Sequence, residues 1–257
     1  MARFRAPREG FVLIACWSPK GGSGTTVVSS ALALVLAGPG GSNLVLGDRA
    51  TGKGGPVLLV DLAGDVPAVL GVPEPAGPGV SEWLAAGPEV PRDALSRLEV
   101  EAGGGIRLVP LGDVGIGSAG IGSAGIGSAG LEAAASGRGE ALATALAADR
   151  RPVVADCGRA DDGAALAVAA GATLSLLVLR PCYLALRRAM AAPIRPSGVV
   201  LVTESGRSLG RRDVEEVLGV PVRAEISYDP AVARAVDAGL LATRVPRALE
   251  RSLRLAA

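Results

Sequence analysis

The chain has 257 residues, 49% of them apolar and 20% charged, so it can bury a sizeable core and is not expected to be disordered. Its net charge is only +1, which excludes a global field drawing it to nucleic acid or membrane. With no histidine, it lacks imidazole bases, Ser-His triads and most zinc sites, and the widely spaced Cys16, Cys157 and Cys182 match no metal spacing and read as buried, reduced thiols.

Taken in chain order, the first ten residues, MARFRAPREG, are charged, and the apolar run behind them is too short for a signal-peptide core. That run, FVLIACW at 11–17, predicts a buried strand. It leads into SPKGGSGTT, from Ser18 to Thr26, and then into TTVVSSALALVLA, a predicted helix from Thr25 to Ala37. Strand, glycine-rich loop and helix form the context of a phosphate-binding loop. Gly21, Gly22 and Gly24 let the backbone curl so that N–H groups converge on phosphate oxygens, with Ser23 between them. The helix start adds its positive end, and the Thr26 hydroxyl can reach Mg²⁺. The lysine usual just before the loop's Ser/Thr is replaced by Thr25, and Lys20 stands at the front of the loop.

An insertion at about 37–56 follows. It contains GDRATGKG, which imitates a phosphate loop but lacks the hydroxyl residue and runs into a strand. Further apolar runs predict strands at 56–61, 106–110, 152–156, 173–179, 198–203 and 220–226. These runs do not alternate apolar with polar residues, which predicts a mostly parallel sheet with helices on both faces. VSEWLAAG at 80–87 reads as a packed helix, with Trp83 core or semi-exposed rather than functional. A second insertion at about 112–137 holds three copies of GIGSA, too short a period for a repeat fold, and is predicted to be a flexible loop. The uncharged stretch from Gly163 to Leu179 reads as a small-residue helix followed by a buried strand rather than a membrane span. The expected architecture is a single doubly wound α/β domain over 1–257, of the P-loop NTPase type.

The last segment, VPRALERSLRLAA, predicts a helix starting at Pro246. Arg244, Arg247, Arg251 and Arg254 form one basic stripe, with Leu249, Leu253 and Ala256 opposite. Such a helix either lies on an anionic membrane or docks on its own sheet; the narrow apolar face without an aromatic anchor favours docking. Arg187 with Arg188, and Arg207 with Arg211 and Arg212, are two further basic clusters.

The loop KGGSGTT resembles the deviant phosphate loop of the MinD/ParA superfamily, in particular the septum-site MinD-like and CpaE/TadZ-like branches with a K-G-G-x-G-T-T loop. PVLLVDLAGDVPAVLGVP resembles the superfamily's switch I segment, PVVADCG its second acidic motif, and LGVPVRAEISYDPAVARAVDAGLL the late segment that closes over the base. The resemblance implies ATP and Mg²⁺ as ligands. Lys20 and Asp61 would be catalytic, and Lys20, Gly21, Gly22, Ser23, Gly24, Thr25, Thr26, Thr203 and Tyr228 would bind nucleotide. Thr26 and Asp156 would hold the metal. It further implies a nucleotide-dependent homodimer in which Lys20 reaches the partner's phosphates, and a protein partner acting as activator or cargo adaptor. A membrane surface through 246–257 and non-specific DNA are further partners of the superfamily, and the chain would be cytoplasmic, at most peripheral to the inner face of the membrane. Three departures stand out: Thr25 for the lysine, Ala63 where the family commonly has an aspartate, and Thr203-Glu204 where an asparagine often reads adenine. Two readings stay open: a positional regulator with weak or partner-dependent ATP hydrolysis, and a non-hydrolysing scaffold acting by dimerisation and partner binding.

Overall fold

A computed structural model describes residues 12–39, 41, 55–86, 90–91, 93–113, 128–161, 163–243 and 245–254, with only the backbone for 128–137. In chain order the strands are β1 (Leu13–Ser18), β2 (Val57–Asp61), β3 (Val100–Glu101), β4 (Ile106–Val109), β5 (Val153–Arg159), β6 (Leu174–Leu179), β7 (Gly198–Thr203) and β8 (Val222–Ser227). The helices are α1 (Thr25–Ala37), α2 (Val66–Leu70), α3 (Val80–Ala85), α4 (Ser128–Ala147), α5 (Gly163–Gly171), α6 (Tyr183–Met190), α7 (Arg211–Leu218), α8 (Pro230–Asp237) and α9 (Arg247–Arg254).

The strands form one sheet in the order β3-β4-β2-β5-β1-β6-β7-β8. Every pairing is parallel except β3 with β4. The mostly parallel α/β architecture read from the apolar runs is therefore the one adopted. β3 was not anticipated, because two residues at an edge carry no periodicity. β8 also departs from the expected unbroken apolar pattern. As the other edge strand it buries Val222, Ala224 and Ile226 and exposes Arg223, Glu225 and Ser227.

Each face of the sheet carries its own core. On one, Leu13, Ala15 and Trp17 of β1 pack with Leu142 and Leu146 of α4, Val168 of α5 and Leu186 of α6. On the other, Ile14 and Cys16 pack with Val28, Leu32 and Val35 of α1, Val66 and Leu70 of α2, and Leu249 and Leu253 of α9. β1, which alternates its side chains between the two, is buried throughout. Trp17 satisfies its indole N–H on Ser175 Oγ at 3.0 Å, so its ring sits in the core without an orphaned donor. Small residues let α4 and α5 approach closely: a Cβ on Gly139 would stand 2.7 Å from Ala167 Cβ.

Of the two insertions, little falls among the described residues. The decoy at Gly47–Lys53 lies outside them, as do Val114 to Gly127 of the GIGSA region. Helix α4, however, begins at Ser128, inside the span expected to be loop up to 137. The alanine-rich run at 133–135 is strong helix former and favours that earlier start.

The C-terminal helix docks on its own chain. Leu249 and Leu253 are 2% and 0% exposed, packed in the core beside α1, so the apolar face offered for a membrane is covered. Among the described residues no helix is long and apolar enough to cross a membrane. The basic clusters are also partly neutralised. Arg207 pairs with Glu204, Arg211 with Glu215 and Glu225, and Arg254 with Glu250. Arg244 and Ala256 of the predicted stripe lie outside the described residues.

Candidate functional site

The connections out of β1 and β5 diverge to opposite sides of the sheet, because β5 lies between β1 and β2 while the chain from β5 crosses β1 to reach β6. In open α/β sheets such a switch point leaves a crevice at the strands' carboxyl ends. The glycine-rich loop sits there, between Ser18 at the end of β1 and Thr25 at the start of α1.

Internal hydrogen bonds hold the loop in shape. The Ser18 hydroxyl lies 3.0 Å from the Lys20 carbonyl and 3.2 Å from that of Gly158, tying the loop to the end of β5. Ser23 Oγ donates to the same Lys20 carbonyl at 3.1 Å. Gly22 and Gly24 take φ of 77° and 85°, a conformation that favours glycine. A Cβ at Gly21, Gly22 or Gly24 would meet nothing within 4 Å, so the loop is open on its outer side. No side chain caps α1 and its first turn holds no acid. Its first N–H groups therefore remain available to an anion.

The loop forms one wall of a cleft of about 770 Å³. Leu62, Ala63 and Asp65 after β2, Gly158 and Arg159 at the end of β5, and Val236 and Asp237 at the end of α8 form the others. Thr25 and Thr26 line it too. A second cavity of about 270 Å³, walled by Val27, Val28, Val202, Ile226, Tyr228, Val232 and Leu249, shares Gly24, Val27, Val236 and Asp237 with the first. The two form a continuous groove with a polar end at the loop and an apolar end beside Tyr228.

Asp61 ends β2, whereas Asp156, expected to end its strand, lies beside it inside β5, and the two are in different states. Asp61 accepts from the N–H groups of Ala63 at 2.9 Å and Gly64 at 2.6 Å on Oδ1, and of Val66 at 3.1 Å on Oδ2. Burial still raises its carboxyl above the usual range, against the pull of those amides. Its oxygens are committed to its own turn and it is not among the residues lining the cleft, so its observed role is to fix the segment 62–66. Asp156 is likewise buried, but only Oδ1 is engaged, by the Gly158 N–H at 3.2 Å; Oδ2 has no hydrogen-bond partner. Burial pushes its pKa up to about 7, Asp61 adds to the rise, and the Thr26 hydroxyl beside it opposes both. A buried, half-satisfied carboxylate beside a threonine hydroxyl, next to an anion cradle, fits a hard cation shared with phosphate oxygens. Among the described residues no group of three or more His, Cys, Asp or Glu could hold a metal by itself, so such a cation would need the phosphates as ligands.

The other predicted residues divide. Gly21, Gly22, Ser23, Gly24, Thr25 and Thr26 are all brought to the cleft. Lys20 is not among its lining residues; Nζ points back to the Gly21 carbonyl at 3.5 Å. Tyr228 lines the apolar cavity, whereas Thr203 does not; Val202 takes that place. Thr203 instead accepts the Tyr228 N–H on its carbonyl at 2.7 Å and so positions the cavity wall. Sequence reasoning missed Arg159, Asp237 and Val236. Arg159 was foreshadowed only by its place three residues after Asp156, and the other two by nothing local.

No protein-family model matches the chain, and no curated protein matches it. Solved structures do. The septum site-determining protein MinD complexed with Mg-ADP from Pyrococcus horikoshii OT3 superposes with a TM-score of 0.67 at 19% identity, covering 95% of this chain and 94% of that one. A ParA family ATPase from Chlorobium tepidum TLS gives 0.67 at 15% identity over 95% and 96%. The ATP complex of a Cyanothece McdA variant gives 0.65 at 18% identity over 96% and 95%. The chain therefore has the fold of the MinD and ParA ATPases, an α/β P-loop architecture with its glycine-rich loop at the sheet's switch point.

Proposed function

We propose that the chain is a MinD/ParA-like ATP-binding positional regulator, serving septum placement, replicon partition or pilus positioning. The observation that carries this reading is an uncapped, glycine-lined helix start in the cleft whose Thr26 stands beside the buried Asp156, a carboxylate behind the lining residues with its Oδ2 unpartnered. Backbone amides of 21–26 would wrap the phosphates, and Thr26 and Asp156 would hold Mg²⁺, which supplies charge neutralisation on the phosphate chain. The apolar end of the groove, between Val27, Tyr228 and Val236, would take the base. Lys20, turned out of its own cleft, would serve a partner's phosphates in a nucleotide-dependent homodimer. Nucleotides in the fold relatives with Mg-ADP and ATP agree with this reading.

Hydrolysis would be slow or dependent on a partner. A lysine on the phosphates contributes about 1.5–3 kcal/mol as a charge-assisted hydrogen bond, and its loss slows transfer by roughly 10–100-fold. Ala63 lines the cleft where the superfamily commonly places a carboxylate, and Asp61 is spent on its own turn. These two observations also favour the second reading, a scaffold that binds ATP without splitting it. Binding of a fluorescent ATP analogue followed by phosphate release decides between them. Binding with turnover that disappears in Lys20→Ala supports the regulator; binding without turnover supports the scaffold. Absence of binding overturns both.

A further inference from the structure

The cleft carries a charge imbalance that its loop does not correct. Asp65 and Asp237 line it, and the buried Asp61 and Asp156 lie on the adjoining strands. A phosphate chain would add more negative charge, and the position before Thr26 offers only the buried hydroxyl of Thr25. Three cations flank the loop. Lys20 turns to the Gly21 carbonyl. Arg180, just after β6, is held by Glu204, by the Gly22 carbonyl at 3.4 Å and over the Tyr228 ring, and is not among the cleft-lining residues. Among the described basic residues, Arg159 alone lines the cleft.

Its backbone is placed for the task. β5 continues past Asp156, and the Cα of Arg159 pairs with that of Ser18, where the loop begins. The contact between the Ser18 hydroxyl and the Gly158 carbonyl couples that strand end to the loop. The Arg159 guanidinium pairs with Asp161, and the two side chains are 57% and 48% exposed. An ion pair so exposed contributes little and exchanges readily, whereas a guanidinium fork on phosphate oxygens makes two charge-assisted bonds. Arg159 is thus a cation held loosely at the cleft wall.

We propose that Arg159 is the phosphate-binding cation of this cleft, exchanging Asp161 for the phosphate chain of a nucleoside polyphosphate. The proposal rests on the nucleotide reading above. It assigns to β5 the charge that the loop lacks at Thr25.

The test is calorimetric titration of Mg-ATP and Mg-ADP into the wild-type chain and into Arg159→Ala, Arg159→Lys, Asp161→Asn and Arg187→Ala, with melting of each nucleotide-free variant. All the altered side chains are exposed, so the variants are expected to melt with the wild type. Arg159→Ala should weaken binding about 10-fold. Arg159→Lys should fall between, because a point charge replaces the fork. Asp161→Asn should tighten binding about twofold by freeing the guanidinium. Arg187→Ala, an exposed α6 control, should bind as the wild type does. Unchanged affinity in Arg159→Ala, or equal weakening in Asp161→Asn or Arg187→Ala, overturns the proposal while leaving nucleotide binding intact. A wild-type chain that binds neither nucleotide overturns the nucleotide reading and this proposal together.

Discussion

Asp61 and Asp156 face each other in register on adjacent parallel strands, both with no exposed surface, yet Asp61 has both carboxylate oxygens hydrogen-bonded and Asp156 leaves one bare. The difference separates a carboxylate satisfied by its own turn from one with an oxygen left unpaired, although neither lines the cleft. It also makes the two positions respond in opposite ways to the same amide substitution.

For Asp156 the amide should relieve strain in the metal-free chain. A carboxyl whose folded pKa is raised to about 7 stabilises the fold fully only below its unfolded value. That contribution is lost as pH climbs through about 7, on the order of 2–4 kcal/mol. Metal-free Asp156→Asn should therefore gain stability relative to the wild type as pH rises from 5 to 8.5, measured by urea unfolding. It should also lose the magnesium-dependent part of nucleotide stabilisation. A variant that gains no stability relative to wild type between pH 5 and 8.5 contradicts the assignment.

Asp61→Asn should do the reverse. An amide nitrogen would face one of the backbone N–H groups that the carboxylate now accepts. The lost hydrogen bond costs about 1–3 kcal/mol, partly offset at pH 7 by removal of a buried charge whose pKa is raised, and the net effect is read as a lower urea midpoint. Nucleotide affinity of the folded fraction should change by less than about threefold, since Asp61 does not line the cleft. A stable variant with abolished binding would instead make Asp61 a direct ligand.

The C-terminal helix is a structural element in this account. Leu253→Ala should cost about 2–4 kcal/mol, because the side chain is fully buried beside α1. Removing residues 246–257 should lower the melting temperature and open the apolar cavity that Leu249 lines. Co-sedimentation with anionic vesicles that depends on Leu249 and Leu253, in a chain that stays folded, would contradict the docking.

A small ion-pair network secures the β3 edge. Arg151 donates to both oxygens of Glu99, at 2.9 and 2.7 Å, and to Asp149 at 3.0 and 2.7 Å. Burial pulls the Asp149 carboxyl upward, but the Arg151 bonds outweigh it and hold it below the usual carboxylate range. A depressed acid stabilises the fold above its unfolded pKa and ceases to as pH falls through the folded one. Arg151→Ala should cost about 2 kcal/mol at pH 7, reduced for partial exposure, and much less near pH 2. An unchanged urea midpoint at pH 7 would show the network to be idle.

The architecture was legible because apolar runs such as 56–61 and 173–179 are long, uncharged and separated by helical stretches. The loop was legible because its glycines, its strand and its helix are contiguous. What remained hidden was set by turn geometry and tertiary neighbours. Asp61 differs from Asp156 through the turn just after it, whose Ala63, Gly64 and Val66 amides fold back onto its carboxylate. Val202 rather than Thr203 faces the apolar cavity because of how β7 sits against β8, which the order of residues does not reveal. Arg159 entered the cleft because β5 runs three residues beyond the apolar core of its run.

The most direct measurement is calorimetry of the wild-type chain with Mg-ATP at up to millimolar concentration. Heat fitting one site per chain is expected, weakened when Mg²⁺ is chelated, despite threonine at position 25. No heat with Mg-ATP, Mg-ADP, Mg-GTP or Mg-CTP would contradict the claim that the glycine-rich loop and the start of α1 seat the phosphates without a lysine at position 25.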